Sequence, residues 1–369
     1  MLDFFRIIYY NIHDCIKSNF KKRRPITMKK ILVTLLALLM LCSCVLVACG
    51  PADTQTPADG EQPAADGEQA PALADKIVLA TGGATGTYYA YGMAMGQILQ
   101  EKTGIKFDVQ STGASKANIQ LIQVEEADMA VVQNDVMSYA YTGTDLFAGA
   151  QTQDFAAVAT LYPELCQIIA SKSSGIASVA DLKGKRVSVG DAGSGVEFNA
   201  KQILAAYGID MDKDIEKQNL GFGPSADALK DEKIDAFFCV AGIPTTAITD
   251  LAMSNEITVV PVDDDKFAAL AEEYGFYTQQ VIPADTYTGM TEDVKTVAVM
   301  ATYIVDKDLS EDTVYAITKA MFDNKDAIAA AHAKGAELDA AKAIQGIPEV
   351  VPFHAGALKY YKEAGIIAE

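Results

Sequence analysis

Two glycine-rich segments combine a flexible backbone with hydroxyl groups, which is the chemistry of an anion-binding turn. The first, TGGATGTYY, covers residues 81–89, and the second, DAGSG, covers residues 191–195. Glycine permits positive φ and close approach of the backbone, while Thr87 and Ser194 can each cap a following helix. Unpaired N–H groups at a helix N-terminus attract negative charge. The two segments together therefore predict a site for a carboxylate.

Two other segments repeat this composition. STGAS covers residues 111–115, with Asn118 one helical turn further, and QND covers residues 133–135. The predicted ligand-binding residues of the four segments are Thr81, Gly82, Gly83, Thr85, Gly86, Thr87, Tyr88, Tyr89, Ser111, Thr112, Gly113, Ala114, Ser115, Asn118, Gln133, Asn134, Asp135, Asp191, Ala192, Gly193 and Ser194. Capping and turn formation alone would explain one such segment. Matching segments in two halves of the chain favour a binding site.

Acidic and aromatic residues in these segments have two interpretations. Asp135 and Asp191 either cap helices that face away from the ligand, or one of them pairs with a ligand ammonium, which would favour an amino acid over an oxoacid. Tyr88 or Tyr89 can form an apolar wall with a polar tip. Tyr91 lies on the apolar stripe of the following helix, so we expect it to be a core residue.

The four segments lie between alternating strand and helix patterns. Strand-like runs at 77–80, 107–110 and 127–133 are separated by helical spacing from about Tyr88 and near 115–125. A second series begins with RVSVG and a helix, and continues through IDAFFCV and ITVVPV. This alternation predicts a parallel sheet covered by helices, and two series predict two α/β lobes.

Two further apolar runs, PELCQIIASK and TVAVMATYIV, are interpreted as the crossings of a hinge. Lobe 1 is predicted to comprise residues 76–163 and 296–369, and lobe 2 residues 164–295. The C-terminal helices, including EDTVYAITKAMFDN, are then expected to pack on lobe 1. Ligands of open α/β sheets bind beyond the carboxyl ends of the strands, so the cleft between the lobes is the expected site.

The start of the chain predicts export and a lipid anchor. Met28-Lys-Lys is followed by an uncharged stretch, 31–48, which ends in small residues before Cys49. This layout is typical of a lipoprotein signal peptide whose cleavage leaves Cys49 lipidated on the outer face of a bacterial cytoplasmic membrane, although a permanent transmembrane anchor would need the same length. Residues 1–27 indicate either an upstream start codon or a longer basic region. Residues 49–75, which lack aromatic side chains, predict a flexible acidic linker.

The charge balance argues against a nucleic-acid partner. The chain has 30 Lys and Arg against 49 Asp and Glu, a net charge of −19, whereas nucleic-acid binding requires clustered basic residues. Cys166 and Cys239 lie in apolar, strand-like runs where buried free thiols are common. A disulfide between these two residues is the alternative.

Sequence patterns of catalysis are missing. His332 and His354 have no Cys, Asp or Glu at ligand spacing, so no metal site is predicted. DAGSG lacks the first glycine of a nucleophile elbow, and GGATGTYY lacks the lysine of a P-loop. The acidic run at 263–265 is expected to be solvated surface. The sequence therefore predicts a binding protein without a cofactor, not an enzyme.

Five segments, in this order, resemble the TAXI-type solute receptors of TRAP transporters: ATGGATGTYYAYGMAMGQIL, STGASKANIQLIQVEEADMAVVQND, LKGKRVSVGDAGSGVEFNAKQIL, AGIPTTAITDL and VYAITKAMFDN. The resemblance extends over about residues 76–369. It implies a type II periplasmic-binding-protein fold that closes by hinge bending, a small carboxylate ligand such as glutamate or 2-oxoglutarate, and a fused TRAP permease as partner. It also adds Gly242 and Pro244 to the ligand-binding residues.

If the ligand is a carboxylate, as the resemblance implies, its negative charge needs a binding partner in the protein. Other TRAP receptor classes clamp the carboxylate with an arginine, but Arg186 is the only arginine after the signal region, and it is expected to point away from the cleft. Helix N-termini and hydroxyl donors would replace it. A lipid-anchored binding protein of an ABC importer or of a sensory system, with the same fold, is the alternative.

Overall fold

The computed structural model of the protein describes residues 73–368. The predicted signal region, the lipid attachment at Cys49 and the linker as far as residue 72 lie outside the described residues. Within residues 73–368, no helix has the length and apolar character needed to cross a bilayer. The contacts of the domain begin before residue 76, because the Ala74 N–H donates to Thr313 Oγ1 over 3.0 Å and Leu73 packs against the core.

The described residues form ten strands in one mixed sheet. In chain order the strands are β1 (Lys76–Ala80), β2 (Lys106–Gln110), β3 (Met129–Gln133), β4 (Phe155–Ser171), β5 (Arg186–Ser188), β6 (Glu216–Gln218), β7 (Ala236–Ala241), β8 (Ile257–Val260), β9 (Thr278–Ile282) and β10 (Val294–Asp306). Their order across the sheet is β2-β1-β3-β10-β4-β7-β5-β6, with β8 added to β4 and β9 to β10.

Ten helices accompany these strands. They are α1 (Thr87–Thr103), α2 (Ser115–Gln123), α3 (Asn134–Thr142), α4 (Gly195–Ala206), α5 (Phe222–Lys230), α6 (Thr246–Ala252), α7 (Asp264–Tyr274), α8 (Glu311–Asp323), α9 (Lys325–Ala331) and α10 (Ala355–Glu363). Helix α1 shows why the sequence folds in this way: Tyr88, Tyr91, Met95 and Leu99 recur at helical spacing and are all buried. Gly104, with φ of 77°, ends the helix in the left-handed conformation.

The sheet contains two parallel groups separated by two long antiparallel strands. Strand β1 is parallel to β2 and β3, and β5 is parallel to β6 and β7. Parallel neighbours need a crossover, which α1, α2, α4 and α5 provide. Strands β4 and β10 pair with each other in the middle, and their register shifts next to Ala301 and Tyr303.

The buried apolar side chains divide between the two ends of the sheet. Two core clusters draw their buried members from residues 77–162 and 301–361, and the other two draw theirs from residues 165–299. Among the described strands, only β4 and β10 contribute buried residues to the clusters at both ends of the sheet. The molecule therefore has two α/β lobes joined by these two strands, and α8 and α10 belong to the core of lobe 1. The predicted residue limits of the lobes stay a prediction.

Some sequence expectations differ from the observed elements. The expected parallel sheet is wrong for the middle of the molecule, because β4 and β10 run antiparallel to each other and to their neighbours. The run ITVVPV, expected to continue the second parallel series, forms β8 and pairs antiparallel with β4. Periodicity cannot reveal strand direction, which depends on partners distant in the chain. In the described part, Cys166 and Cys239 are buried free thiols.

Candidate functional site

A cavity of about 260 Å³ lies between the lobes, at the carboxyl ends of β1, β3 and β7. Its lining comprises Gly82, Gly83, Ala84, Thr85, Gly86, Thr87, Tyr88, Ala114, Ser115, Gln133, Glu164, Asp191, Ser194, Gly195, Val196, Gly221, Phe222, Gly223, Pro224, Val240 and Ala241. Ligand pockets usually enclose about 300–1,000 Å³, so this cavity suits a small solute.

Four helix N-termini border the cavity. Helices α1 and α2 start there from lobe 1, and α4 and α5 start there from lobe 2. The N-cap residues of α1, α2 and α5 are Gly86, Ala114 and Gly221, and none of the three provides a capping side-chain hydrogen bond within the described residues. The first N–H groups of a helix have no intrahelical partner, and the helix dipole adds partial positive charge there. The cavity therefore offers amide donors from both lobes.

The turn before α1 is held by hydroxyl groups that lie behind the cavity. Thr112 Oγ1 donates to the Thr81 carbonyl over 2.8 Å, and Ser111 Oγ donates to the Gly82 carbonyl over 2.9 Å. Asn118 Nδ2 donates to the carbonyls of Thr81 and Val131, over 2.6 and 2.7 Å. These side chains fix the backbone that lines the cavity, and they do not line it themselves.

The start of α4 forms the opposite wall. Ser194 caps the helix, since its Oγ accepts from the Glu197 N–H over 3.1 Å. Glu197 Oε2 in turn accepts from the Gly193 N–H over 2.6 Å. Gly193 has φ of 77°, which allows the tight turn. Thr87, by contrast, does not cap α1 as expected: it is the first helical residue, and its hydroxyl donates to the Gly242 carbonyl across the lobes over 3.0 Å.

The two lobes touch directly around the cavity, so the arrangement is closed. A Cβ on Gly86 would lie 3.3 Å from the Phe222 ring, and a Cβ on Gly223 would lie 3.2 Å from Thr85 Oγ1. The Thr85 carbonyl also accepts from the Ala247 N–H over 3.4 Å. Phe222 and its neighbours 221–224 were not among the predicted site residues, although the sequence GFGP has the same glycine-before-helix pattern.

A buried polar network joins α3 of lobe 1 to α4 of lobe 2. Asn199 Oδ1 accepts from Gln133 Nε2 over 3.1 Å, and Asn199 Nδ2 donates to Asp135 Oδ2 and Tyr277 OH, both over 3.0 Å. Gln202 Nε2 donates to Tyr139 OH, also over 3.0 Å, and Gln202 Oε1 accepts from Tyr277 OH over 2.6 Å. Burial raises the pKa of Asp135 to about 6, despite hydrogen bonds that lower it. Asp135 therefore links the lobes and does not border the cavity.

We expect Asp135 to make stability depend on pH. The folded protein keeps the Asp135 proton up to about pH 6, while the unfolded chain loses it near the ordinary pKa of 3.8. Between these values the folded state binds more protons, so rising pH lowers the free energy of unfolding by up to about 3 kcal/mol. In denaturant titrations at several pH values, this dependence should be missing from Asp135→Asn. Asp250→Asn, at an exposed position, is the control, and equal pH dependence of Asp135→Asn and wild type would contradict the assignment.

Glu164 is an acidic lining residue that the sequence did not reveal. It lies within β4 where the chain passes between the lobes, and its side chain accepts from Tyr88 OH over 2.6 Å. Burial raises the pKa of Glu164, and the Tyr88 hydrogen bond lowers it in part. In the sequence, this residue is surrounded by apolar residues typical of a strand. The one signal of a special role is that an acidic residue lies inside such an apolar run.

The structure brings about half of the predicted site residues to the cavity. Those in the lining are Gly82, Gly83, Thr85, Gly86, Thr87, Tyr88, Ala114, Ser115, Gln133, Asp191 and Ser194. Those outside the lining are Thr81, Tyr89, Ser111, Thr112, Gly113, Asn118, Asn134, Asp135, Ala192, Gly193, Gly242 and Pro244. Asn134, for example, bonds the Met300 N–H and the Gly346 carbonyl. Contact of the lining residues with a ligand stays a prediction.

Other polar candidates have structural partners. Arg186 forms an ion pair with Asp235, with Nη2–Oδ1 at 2.6 Å, and is not in the lining. His354 Nδ1 accepts from the Gly356 N–H while its Nε2 meets the Leu309 carbonyl, so it fixes the start of α10. A second cavity of about 670 Å³ lies beside β4 and the 325–346 segment, and it contains none of the predicted site residues.

Comparison with known proteins places the chain in a family. The family model described as the NMT1-like family matches residues 79–365. A solved structure of a protein from Bordetella bronchiseptica RB50 is 17% identical, with a TM-score of 0.51 over 79% of this chain and 98% of that one. The alkanesulfonate-binding protein SsuA from Xanthomonas axonopodis pv. citri, bound to MOPS, is 16% identical, with a TM-score of 0.48 over 79% and 84%.

A third similar structure is the binding protein component of an ABC phosphonate transporter from Pseudomonas aeruginosa. It is 14% identical, with a TM-score of 0.47 over 71% of this chain and 79% of that one. At these identities the likeness concerns the fold alone. The predicted type II periplasmic-binding-protein fold, with two lobes joined by two strands, is confirmed. The chain belongs to the NMT1-like family.

Proposed function

We propose that the protein is an extracytoplasmic solute-binding protein that captures a small carboxylate between its lobes and delivers it to a membrane transporter. One observation carries this proposal: four helix N-termini from the two lobes border a single cavity. Each N-terminus contributes roughly half a positive charge and unpaired N–H donors. A carboxylate held by both lobes stabilises the closed arrangement, because only differential affinity for that state can shift the equilibrium.

The acidic surface does not prevent capture of an anion. Charges separated by more than about 8 Å are screened at physiological salt, whereas the amides of α1, α2, α4 and α5 act at contact distance. Hydroxyl groups add further donors, since Ser194 and Thr85 line the same cavity. Apolar side chains, including Val196 and Val240, complete a wall that keeps water away from the solute.

The transporter that we propose is a TRAP system of the TAXI type, with a fused membrane permease as the partner. The ordered motifs of the sequence support this choice, from TGGATGTYY to VYAITKAMFDN. We also propose that lipid on Cys49 anchors the protein to the outer face of the cytoplasmic membrane. Labelling with a radioactive fatty acid, compared between wild type and Cys49→Ala, would test the anchor directly.

The second candidate is a binding protein of an ABC importer. Binding proteins named for sulfonate and phosphonate uptake share the fold, and sulfonates and phosphonates are anions that helix N-termini also bind. The adjacent genes distinguish the candidates: a multi-spanning permease of the TRAP type supports the first, and an ATPase supports the second. The same cavity serves either transporter.

A ligand screen tests the capture function. Thermal-shift measurements against carboxylates, amino acids, sulfonates and phosphonates should give stabilisation that grows with solute concentration, since binding to the folded state alone raises its stability. A carboxylate or amino acid should give the largest shift. Stabilisation by a sulfonate alone would contradict the carboxylate assignment, and no stabilisation by any solute would contradict capture.

Replacing Ser194 with alanine should lower affinity for the solute by about 1–3 kcal/mol, if the hydroxyl donates to a buried carboxylate oxygen. Part of this loss would come from the helix cap, because Ser194 Oγ accepts from the Glu197 N–H. Ser310→Ala is the matched control: Ser310 Oγ caps α8 by accepting from the Thr313 N–H, away from the cavity. Isothermal titration of both variants separates the loss of the hydrogen bond to the solute from the loss of a helix cap. If Ser194→Ala binds the solute as tightly as wild type, Ser194 does not belong to the binding site.

A further inference from the structure

We propose that Glu164 makes the cavity selective for solutes with an ammonium group next to their carboxylate, so that it takes α-amino acids in preference to the matching 2-oxo acids. This inference rests on the proposed function, because it names the solute class of the same cavity. It starts from a residue that lies outside the four glycine-rich segments.

Glu164 presents one free carboxylate oxygen to the cavity. The side chain is 1% exposed, and Oε2 accepts from Tyr88 OH over 2.6 Å. Within residues 73–368, the one hydrogen bond to the Glu164 carboxylate runs from Tyr88 OH to Oε2, so Oε1 accepts none, and Glu164 is part of the lining. A buried carboxylate without a full set of donors is costly, and an ammonium supplies both hydrogen bonds and the opposite charge.

The charges of the cavity favour a zwitterion over a dianion. Within the described lining, the charged side chains are Glu164 and Asp191, and no lysine or arginine contributes. Glu164 is hydrogen-bonded by Tyr88 and repelled by Asp135, and burial together with the charge of Glu164 raises the pKa of Tyr88, Tyr162, Cys166 and Cys239. Among these groups Asp135 is the other carboxyl group, and none is basic. A second negative group on the solute would therefore find no basic side chain to pair with in the described lining.

The acidic group and the amide donors are close to each other. Tyr88 belongs to the first turn of α1, and its hydroxyl donates to Glu164. Ser115, the first residue of α2, faces the same hydroxyl. The N-terminus of α2 and the Glu164 carboxylate therefore both lie next to the Tyr88 hydroxyl. An α-amino acid presents its carboxylate and its ammonium on adjacent carbon atoms, which fits this arrangement.

Matched solute pairs test the selectivity in isothermal titrations of the purified protein. The pairs are the common L-amino acids and their 2-oxo acids, beginning with L-glutamate and 2-oxoglutarate, and L-leucine and 4-methyl-2-oxopentanoate. The best amino acid should bind at least about 100-fold more tightly than its 2-oxo acid, as expected for a buried charge pair. In Glu164→Gln, affinity for the amino acid should fall at least about tenfold, while affinity for the 2-oxo acid stays within about threefold. Glu349→Gln, at an exposed position outside the cavity, should change neither.

The pH dependence of wild-type affinity provides a readout that needs no variant. An ammonium requires ionised Glu164, and burial raises the pKa of this group, so amino-acid binding should strengthen as pH rises above the ordinary range of a glutamate carboxyl, and should release a proton. A solute without an ammonium would prefer protonated Glu164, which can donate to it, and would weaken over the same range. Glu164→Gln should flatten either slope.

Three results would overturn the inference: a 2-oxo acid that binds as tightly as its amino acid, a Glu164→Gln variant of native thermal stability that keeps the discrimination, or amino-acid affinity that falls as pH rises. Each of these results leaves solute capture standing. If neither class of solute binds at millimolar concentration while another carboxylate of the screen does, the selectivity is wrong and solute capture stands. If no solute of the screen binds, the proposed function is wrong, and the selectivity is wrong with it.

Discussion

Replacing Gly195 with alanine should lower affinity for the solute at least about 100-fold, close to 3 kcal/mol. Gly195 begins α4 at the seam between the lobes, and an added Cβ would overlap Gln133 Oε1 and lie 3.0 Å from Val136 Cγ2. Both neighbours are buried parts of lobe 1, so the methyl group requires that the lobes separate, or that the Gln133 side chain moves and gives up its hydrogen bond to Asn199 in the other lobe. Isothermal titration with the tightest solute from the screen measures the loss.

Gly113→Ala is the matched control for this prediction. A Cβ on Gly113 would meet only Ala117 Cβ, at 3.5 Å, which is ordinary van der Waals contact, and Gly113 is not in the lining. The variant should bind like wild type. Solution X-ray scattering should show that Gly195→Ala keeps a larger radius of gyration with the solute present. A Gly195→Ala variant that binds and compacts like wild type would contradict the expected cost of this contact between the lobes.

Replacing Asn199 with alanine should cost about 2–4 kcal/mol of solute affinity. The side chain is fully buried and bonds Gln133 and Asp135 of the other lobe. Without it, the closed arrangement leaves Gln133 Nε2 and Asp135 Oδ2 buried and without partners, at about 1–3 kcal/mol each, while Asp135 Oδ1 keeps the Val136 N–H. In an open arrangement water can reach both groups. The lost hydrogen bonds therefore reduce the free energy gained when the lobes close on the solute. Isothermal titration at a pH above the Asp135 pKa of about 6 should show the full effect.

Asn219→Ala separates this effect from the general loss of an asparagine. Asn219 is exposed, and its Nδ2 donates to the Gly190 carbonyl and to Glu197 Oε1, both within lobe 2. Its replacement should leave affinity within about 0.5 kcal/mol of wild type. The effect of Asn199→Ala should also shrink at pH 5, where Asp135 is protonated and no longer leaves a buried charge. Equal losses in the two variants would refute the proposed contribution of the inter-lobe network.

The sequence was informative wherever the signal is local. The turns before α1, α2 and α4 require glycine, serine and threonine for backbone geometry and capping, so residues such as Gly86, Ser115 and Ser194 were predicted for the site and lie in the cavity lining. The same composition also marks residues behind the lining. Ser111, Thr112 and their neighbours hold the turn from outside, since a hydroxyl that supports a backbone and one that faces a solute look alike in a sequence.

The sequence by itself determined the alternation of strands and helices, the two lobes and the glycine-rich turns, because periodicity, helix capping and positive φ act over a few residues. Only the tertiary structure decided the antiparallel pairing of β4 with β10, the meeting of Asn199 with Asp135, and the position of Glu164 inside the cavity. These features join residues that are distant in the chain. Their geometry follows from packing the two lobes against each other, which no local pattern encodes.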